Sequence, residues 1–144
     1  MIRNTLNVAV TIEAPPEKVF AVLCDVERWP EWTPTMTSVQ RVDSGPFAIG
    51  SSANVRQPRL RPSVWRVTKL EDKRGFFWTT RSPGLQMTAG HMIEPEGAGS
   101  RVELTFELTG LIAPVLSRLY GGMIKRYMTT ESLGLKKRSE SAGP

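Results

Sequence analysis

The 144 residues are 40% hydrophobic and 23% charged, the balance of one soluble globular domain long enough to bury a core. A single cysteine, Cys24, and a single histidine, His91, exclude an internal disulfide and a Cys/His zinc site, and no apolar run approaches the ~20 residues of a membrane span. The net charge of +5 is modest and divided between a loop (Arg56, Arg59, Arg61) and the C-terminal end (Lys136, Lys137, Arg138), so nucleic acid is not the expected partner.

Met1-Ile2-Arg3-Asn4 shows no signal-peptide core, and together with the lone thiol this predicts a cytoplasmic location. Leu6, Val8, Val10 and Ile12 then alternate with polar or small residues, the period of a half-buried strand. Ala14-Pro15-Pro16 stops it. Pro16-Glu17 opens a short helix with Val19, Phe20 and Leu23 on one side. A second helical piece is predicted over Val26 to Trp32, interrupted by Pro30, with Trp29 and Trp32 near one face. Its carboxylates Glu27 and Glu31 read as a solvated face.

Six more strands are predicted: Thr37–Asp43, Ser52–Gln57, Ser63–Glu71, Phe76–Ser82, Leu85–Glu94 and Arg101–Thr109. Gly45-Pro46, Asp72 to Gly75, Pro83-Gly84 and Pro95 to Gly99 mark turns between them. Gly110 ends the last strand, and Pro114 to about Lys137 reads as one long helix. At about 100° per residue, Leu116, Tyr120, Met123 and Tyr127 share a stripe, while Arg118, Lys125 and Thr129 point away. Such a helix needs an apolar surface to lie on. Gly121-Gly122 costs about 1 kcal/mol per glycine against alanine mid-helix, which marks a bend or a close approach to another backbone. The polar residues beyond form a tail, so the expected organisation is one domain over residues 1–138 and a flexible segment over 139–144.

Strands joined by short turns make an antiparallel meander, and the long helix is the element large enough to cover one face of it. The class is α+β. Strand parity puts Trp65 with Val67, Phe76 with Trp78, Met87 with Ala89, His91 and Ile93, and Phe106 with Val102, Leu104 and Leu108. If those faces look towards the helix stripe, the interior is apolar and aromatic, the composition of a small-molecule site and equally of a filled core.

Ile12 to Phe20, with Ala14-Pro15-Pro16-Glu17 at its centre, resembles the opening of the polyketide cyclase/dehydrase-like, START-related superfamily. Asp25 to Trp32, Gly50-Ser51, Ser82-Pro83-Gly84, His91 with Glu94-Pro95, and Gly134 to Lys137 are similar to later stretches of the same superfamily. The resemblance covers nearly the whole chain in order. It implies a helix-grip fold: a curved seven-stranded antiparallel sheet wrapped around the C-terminal helix, with a cavity between. Its members range from ligand carriers to cyclases, and no cofactor is expected.

Three readings follow. In the first, the chain binds a small hydrophobic molecule of polyketide, lipid or isoprenoid type, with Trp32, Trp65, Trp78, Met87, His91, Phe106, Tyr120, Met123 and Tyr127 as lining and Arg56 helping to orient it. In the second, the same cavity is a cyclase or dehydratase site with His91 as acid/base, because its ordinary pKa near ~6.5 suits both roles. No carboxylate shares the His91 strand face to orient it. In the third, the core is filled and a basic loop or the tail meets an acidic protein. No metal site and no stable membrane insertion are expected; a homodimer stays open.

Overall fold

The computed structural model describes residues 4–141. In chain order these form β1 (Asn4–Ile12), α1 (Pro16–Cys24), a 3-10 turn (Val26–Glu31), β2 (Ser38–Arg41), β3 (Ser52–Arg56), β4 (Ser63–Glu71), β5 (Gly75–Ser82), β6 (Leu85–Glu96), β7 (Gly99–Thr109) and α2 (Ala113–Glu140). The strands make one antiparallel sheet in the order β1-β7-β6-β5-β4-β3-β2. A bulge between Val67 and Lys69 adds to its curvature. On its concave side α2 lies along β1 and β7, and α1 packs beside α2. This is the expected helix-grip architecture.

The parity reading holds on every long strand. Trp65, Val67, Phe76, Trp78, His91, Ile93, Val102 and Leu104 are buried on the concave face, and Thr68, Arg66 and Arg101 alternate outward. Gly90 sits on the outer face, where a Cβ would overlap the Phe77 ring and the Thr105 hydroxyl. The 26–32 segment is tighter than an α-helix. Pro30 lies inside it and cannot donate a backbone hydrogen bond, so the chain closes i→i+3 bonds instead, as in Trp32 N–H to Trp29 O at 3.0 Å.

Three boundaries moved for identifiable reasons. β6 runs through Pro95, and the turn expected over Pro95–Gly99 narrows to Gly97-Ala98. Ile93 N–H donates to Arg74 O, so Pro95, two residues on, turns its missing donor to the same side, beyond the end of β5, where no strand waits for it. β2 ends at Arg41, two residues early, because the Arg41 guanidinium ties down the following turn through Gly45 O at 2.7 Å and Asp43 Oδ2 at 2.8 Å. Finally, α2 continues into the expected tail. Ser139 is buried, Glu13 N–H donates to Glu140 Oε2 at 2.7 Å, and Lys18 Nζ donates to Ser141 O at 2.6 Å. Residues 142–144 lie outside the described ones.

Gly121 and Gly122 make no close approach: a Cβ there would come no nearer than 4.0 Å and 3.6 Å to other atoms, and α2 is continuous through them. The helical glycine that another backbone requires is Gly134. A Cβ on it would overlap the Trp32 carbonyl oxygen, so Gly134 lets the C-terminal half of α2 seat directly on the 3-10 turn.

Candidate ligand cavity

The interior divides into two ends. One is packed around Trp29. Its indole N–H donates to Leu23 O at 3.0 Å, which satisfies the only polar atom of a large buried ring. Around it stand Trp32, Trp78 and His91, with ring centroids at 5.5, 5.4 and 5.3 Å. His91 is stacked on Phe76 at 4.5 Å. With Ile12, Val102 and Ile93 beneath, this end is filled.

His91 is 2% exposed. Its Nδ1 lies 3.1 Å from Phe76 O. A carbonyl only accepts, so Nδ1 carries the proton and Nε2 presents a lone pair. That lone pair faces Glu131 Oε1 of α2 at 3.7 Å, longer than a direct hydrogen bond. Burial governs both groups. It pulls His91 down to about 4, partly opposed by the Phe76 carbonyl bond, and pushes Glu131 up to about 8. Near neutral pH the two are therefore an uncharged imidazole and a carboxylic acid. Glu131 keeps 12% of its side chain accessible against 3% for His91.

At the other end the inward-facing side chains are less deeply buried. Leu6 and Val8 on β1, Met87 and Ala89 on β6, and Phe106 on β7 all point inward, yet each stays half-buried. They are neighbours across the sheet: Leu6 pairs with Phe106, Phe106 with Ala89, and Met87 with Leu108. A concave-face side chain remains accessible only where the space opposite is unoccupied. The N-terminal half of α2 stands over this region, with Met123 and Ile124 half-buried and Tyr120 exposed. These less buried residues lie towards the end of the sheet that carries the β5–β6 turn and the start of α2. Two further depressions of about 380 Å3 each surround Phe77 and Lys69. They are open hollows on the convex face and share no residue with the inward-facing set.

The predicted lining residues thus separate. Met87, Phe106 and Met123 lie at the less buried end. Trp65, Trp78 and His91 belong to the packed aromatic wall, and Trp32 is half-buried beside Trp29. The Tyr127 hydroxyl donates to Pro58 O at 2.7 Å, so Tyr127 struts the β3–β4 loop. Arg56 is exposed on the outward parity of β3 and does not reach the interior. Glu27 and Glu31 are tethers: Glu27 Oε2 accepts from Arg41 N–H at 2.9 Å and Glu31 Oε1 from Arg138 Nη2 at 2.8 Å. Glu131 is the residue that sequence reading missed. Its signal was present, since it lies one turn beyond Tyr127 on the same helical stripe; looking for a His91 partner only along the strand passes over it.

Residues 3–140 match the family described as polyketide cyclase / dehydrase and lipid transport. The chain belongs to that family. The family's description covers polyketide cyclisation or dehydration and lipid transport. Solved structures share this fold from end to end. The Zhui aromatase/cyclase from Streptomyces sp. R1128 superposes with a TM-score of 0.78 at 15% identity, covering 96% of this chain and 94% of that one. TTHA0849 from Thermus thermophilus gives 0.78 at 18% identity over 98% and 100%. Ara h 8.0201 gives 0.76 at 15% identity over 96% and 98%. A curated relative, uncharacterized protein Rv2574 of Mycobacterium tuberculosis (strain ATCC 25618 / H37Rv), is 36% identical over 52 residues; the match spans 36% of this chain and only 29% of that protein. Among the described residues no cluster of three His, Cys, Asp or Glu side chains is placed to hold a metal ion, and no helix is long and apolar enough to cross a membrane.

Proposed function

We propose that this family member binds a small, uncharged apolar molecule between the sheet and the N-terminal half of α2. The observation that carries this reading is the set of inward-facing residues left half-buried at one end, Leu6, Val8, Met87, Ala89 and Phe106, while the opposite end is closed. Apolar contact with that lining supplies the affinity at roughly 25 cal/mol per Å2 buried. The neutral Glu131 acid and the uncharged His91 favour a ligand hydroxyl or carbonyl over an anionic head group, because a buried anion there would meet no compensating positive charge.

Native mass spectrometry of gently purified protein, followed by extraction and identification of anything bound, tests the reading. Ala89→Trp tests it from inside. In a hollow interior the added ring folds into the space and abolishes uptake of an apolar fluorescent probe with the fold intact. In a filled interior it overpacks and costs about 1–3 kcal/mol of stability; that result, with no probe uptake by the parent protein, would refute the cavity.

A second reading has its own support in the His91–Glu131 juxtaposition. A proton acceptor and a proton donor 3.7 Å apart are what a cyclase or dehydratase needs to move one proton on and another off a substrate hydroxyl and its neighbour. His91→Ala separates the two readings. A carrier loses some affinity, whereas an enzyme loses turnover by about 100-fold or more; undiminished turnover of an identified substrate would end the enzymatic reading.

A further inference from the structure

The 14 acidic residues are unevenly placed along the chain. None occurs in residues 44–70, 73–93 or 108–130, which together carry 11 of the 19 Lys and Arg. The fold brings the loops of these three stretches to one end. The β5–β6 turn touches the start of α2, where Ile112 N–H donates to Gly84 O at 3.1 Å. The β3–β4 loop touches the middle of α2 through the Tyr127–Pro58 bond of 2.7 Å. Arg59 and Arg61, Arg81, and Arg118 are exposed on these three parts. Of the acids that bound these stretches, Asp43, Glu71, Asp72 and Glu94 lie towards the opposite end of the sheet, Glu107 is on the outer parity of β7 and Glu131 is in the interior.

The same end carries apolar side chains with no cover. Leu111 is 92% and Leu119 68% exposed, and Ile112, Val115 and Leu60 stand out beside them. Single exposed leucines need no explanation, but a cluster rimmed by arginines does. Protruding Leu and Ile on a loop and helix, with exposed arginines on the same end, are the elements of an interfacial lipid contact. Met87, Ala89 and Phe106, the half-buried residues on which the proposed ligand site rests, lie at this same end.

We propose that this end docks on the surface of an anionic phospholipid bilayer, with Leu111, Ile112, Val115 and Leu119 entering the head-group region and Arg59, Arg61, Arg81 and Arg118 meeting the lipid phosphates. The chain lies on the bilayer without spanning it. The proposed ligand site then faces the apolar phase, so an apolar ligand passes between bilayer and protein without crossing water. The docking itself does not depend on which ligand is carried, or on whether one is.

The full chain is sedimented with vesicles of phosphatidylcholine alone and of phosphatidylcholine mixed with phosphatidylglycerol, at low and high salt. Three variants accompany it: Leu111→Ser with Leu119→Ser, Arg61→Glu with Arg118→Glu, and Lys73→Glu in the β4–β5 turn at the opposite end. The proposal expects binding to the anionic vesicles that salt weakens. It expects losses of about 10-fold or more for the arginine reversals and several-fold for the leucine changes, with unchanged melting temperatures and little effect of Lys73→Glu. Absence of the parent protein from the anionic pellet at low salt overturns it and leaves the patch to an acidic protein. A loss with Lys73→Glu equal to that with the arginine reversals overturns it as general basic attraction. A stable dimer that the leucine changes dissolve overturns it in favour of a second copy of the chain.

Discussion

Glu131→Gln tests the electrostatics of the Glu131–His91 pair most directly. Glu131 has an ordinary pKa of 4.5 and is held at about 8 in the folded protein. Between those values the unfolded chain releases a proton that the folded chain keeps, so the Glu131 contribution is fully present at low pH and falls as pH rises, by about 1.4 kcal/mol per unit. His91 works in the opposite sense. It is held at about 4 against an ordinary 6.5, so its penalty appears as pH falls from 6.5 towards 4. From about 4.5 to 6.5 the two slopes cancel; above that Glu131 acts alone. The glutamine variant keeps the shape and removes only the Glu131 slope. Its stability relative to the parent therefore rises with pH and reaches about 3 kcal/mol by pH 7, on the order of 10 °C in melting temperature for a domain of this size. Urea unfolding followed by fluorescence of the four tryptophans from pH 5 to 8 measures the difference curve, in which the titrating groups away from the Glu131–His91 pair cancel. A flat difference, or one that falls with pH, would mean that the folded chain keeps no extra proton at the Glu131–His91 pair, and the raised Glu131 pKa would be wrong.

Gly134→Ala is expected to destabilise by roughly 2–4 kcal/mol, because its Cβ overlaps the rigid Trp32 carbonyl; thermal melting checks this. Trp29→Phe removes the 3.0 Å bond to Leu23 O and part of the packing of the aromatic cluster, for a loss of about 2–4 kcal/mol in urea titrations. Tyr127→Phe frees the Pro58 carbonyl at an exposed site. It is expected to cost only about 1 kcal/mol, but to raise amide exchange in residues 57–62 selectively.

Legibility in the sequence followed the periodicities. Strand parity located the concave face because inward and outward residues differ in polarity over β1, β4 and β7. The helix stripe located α2 for the same reason. What escaped depends on contacts between elements distant in sequence. Gly134 looked ordinary and Gly121-Gly122 looked special, since a glycine's role is set by what approaches it, here the Trp32 carbonyl. Pro95 read as a turn because proline breaks a strand unless the neighbouring strand has already ended, which is a fact about β5. Glu131 lies 40 residues from His91. Only the crossing of α2 over β6 brings them together. The less buried end was the least legible, because parity gives direction and the volume left between facing side chains depends on how closely α2 approaches the sheet.

That approach returns attention to Gly121 and Gly122. Each costs about 1 kcal/mol relative to alanine in a helix interior, and neither is required by packing, since a Cβ at either would meet only ordinary contacts. Stability alone would replace them. They lie in the half of α2 that stands over the less buried end, between Tyr120 and Met123. The C-terminal half is fixed by Gly134 on the 3-10 turn and by Glu140 on Glu13. A helix anchored at one end and softened near the other bends most easily where it covers the cavity. Gly121→Ala with Gly122→Ala is therefore expected to raise stability by about 2 kcal/mol, about 6 °C in melting temperature, and to slow exchange of an apolar fluorescent probe while leaving its equilibrium affinity within a few-fold. Stabilisation with unchanged exchange would separate the glycines from ligand access. Destabilisation would mean that the helix is held, in solution, closer to the sheet than its open face implies.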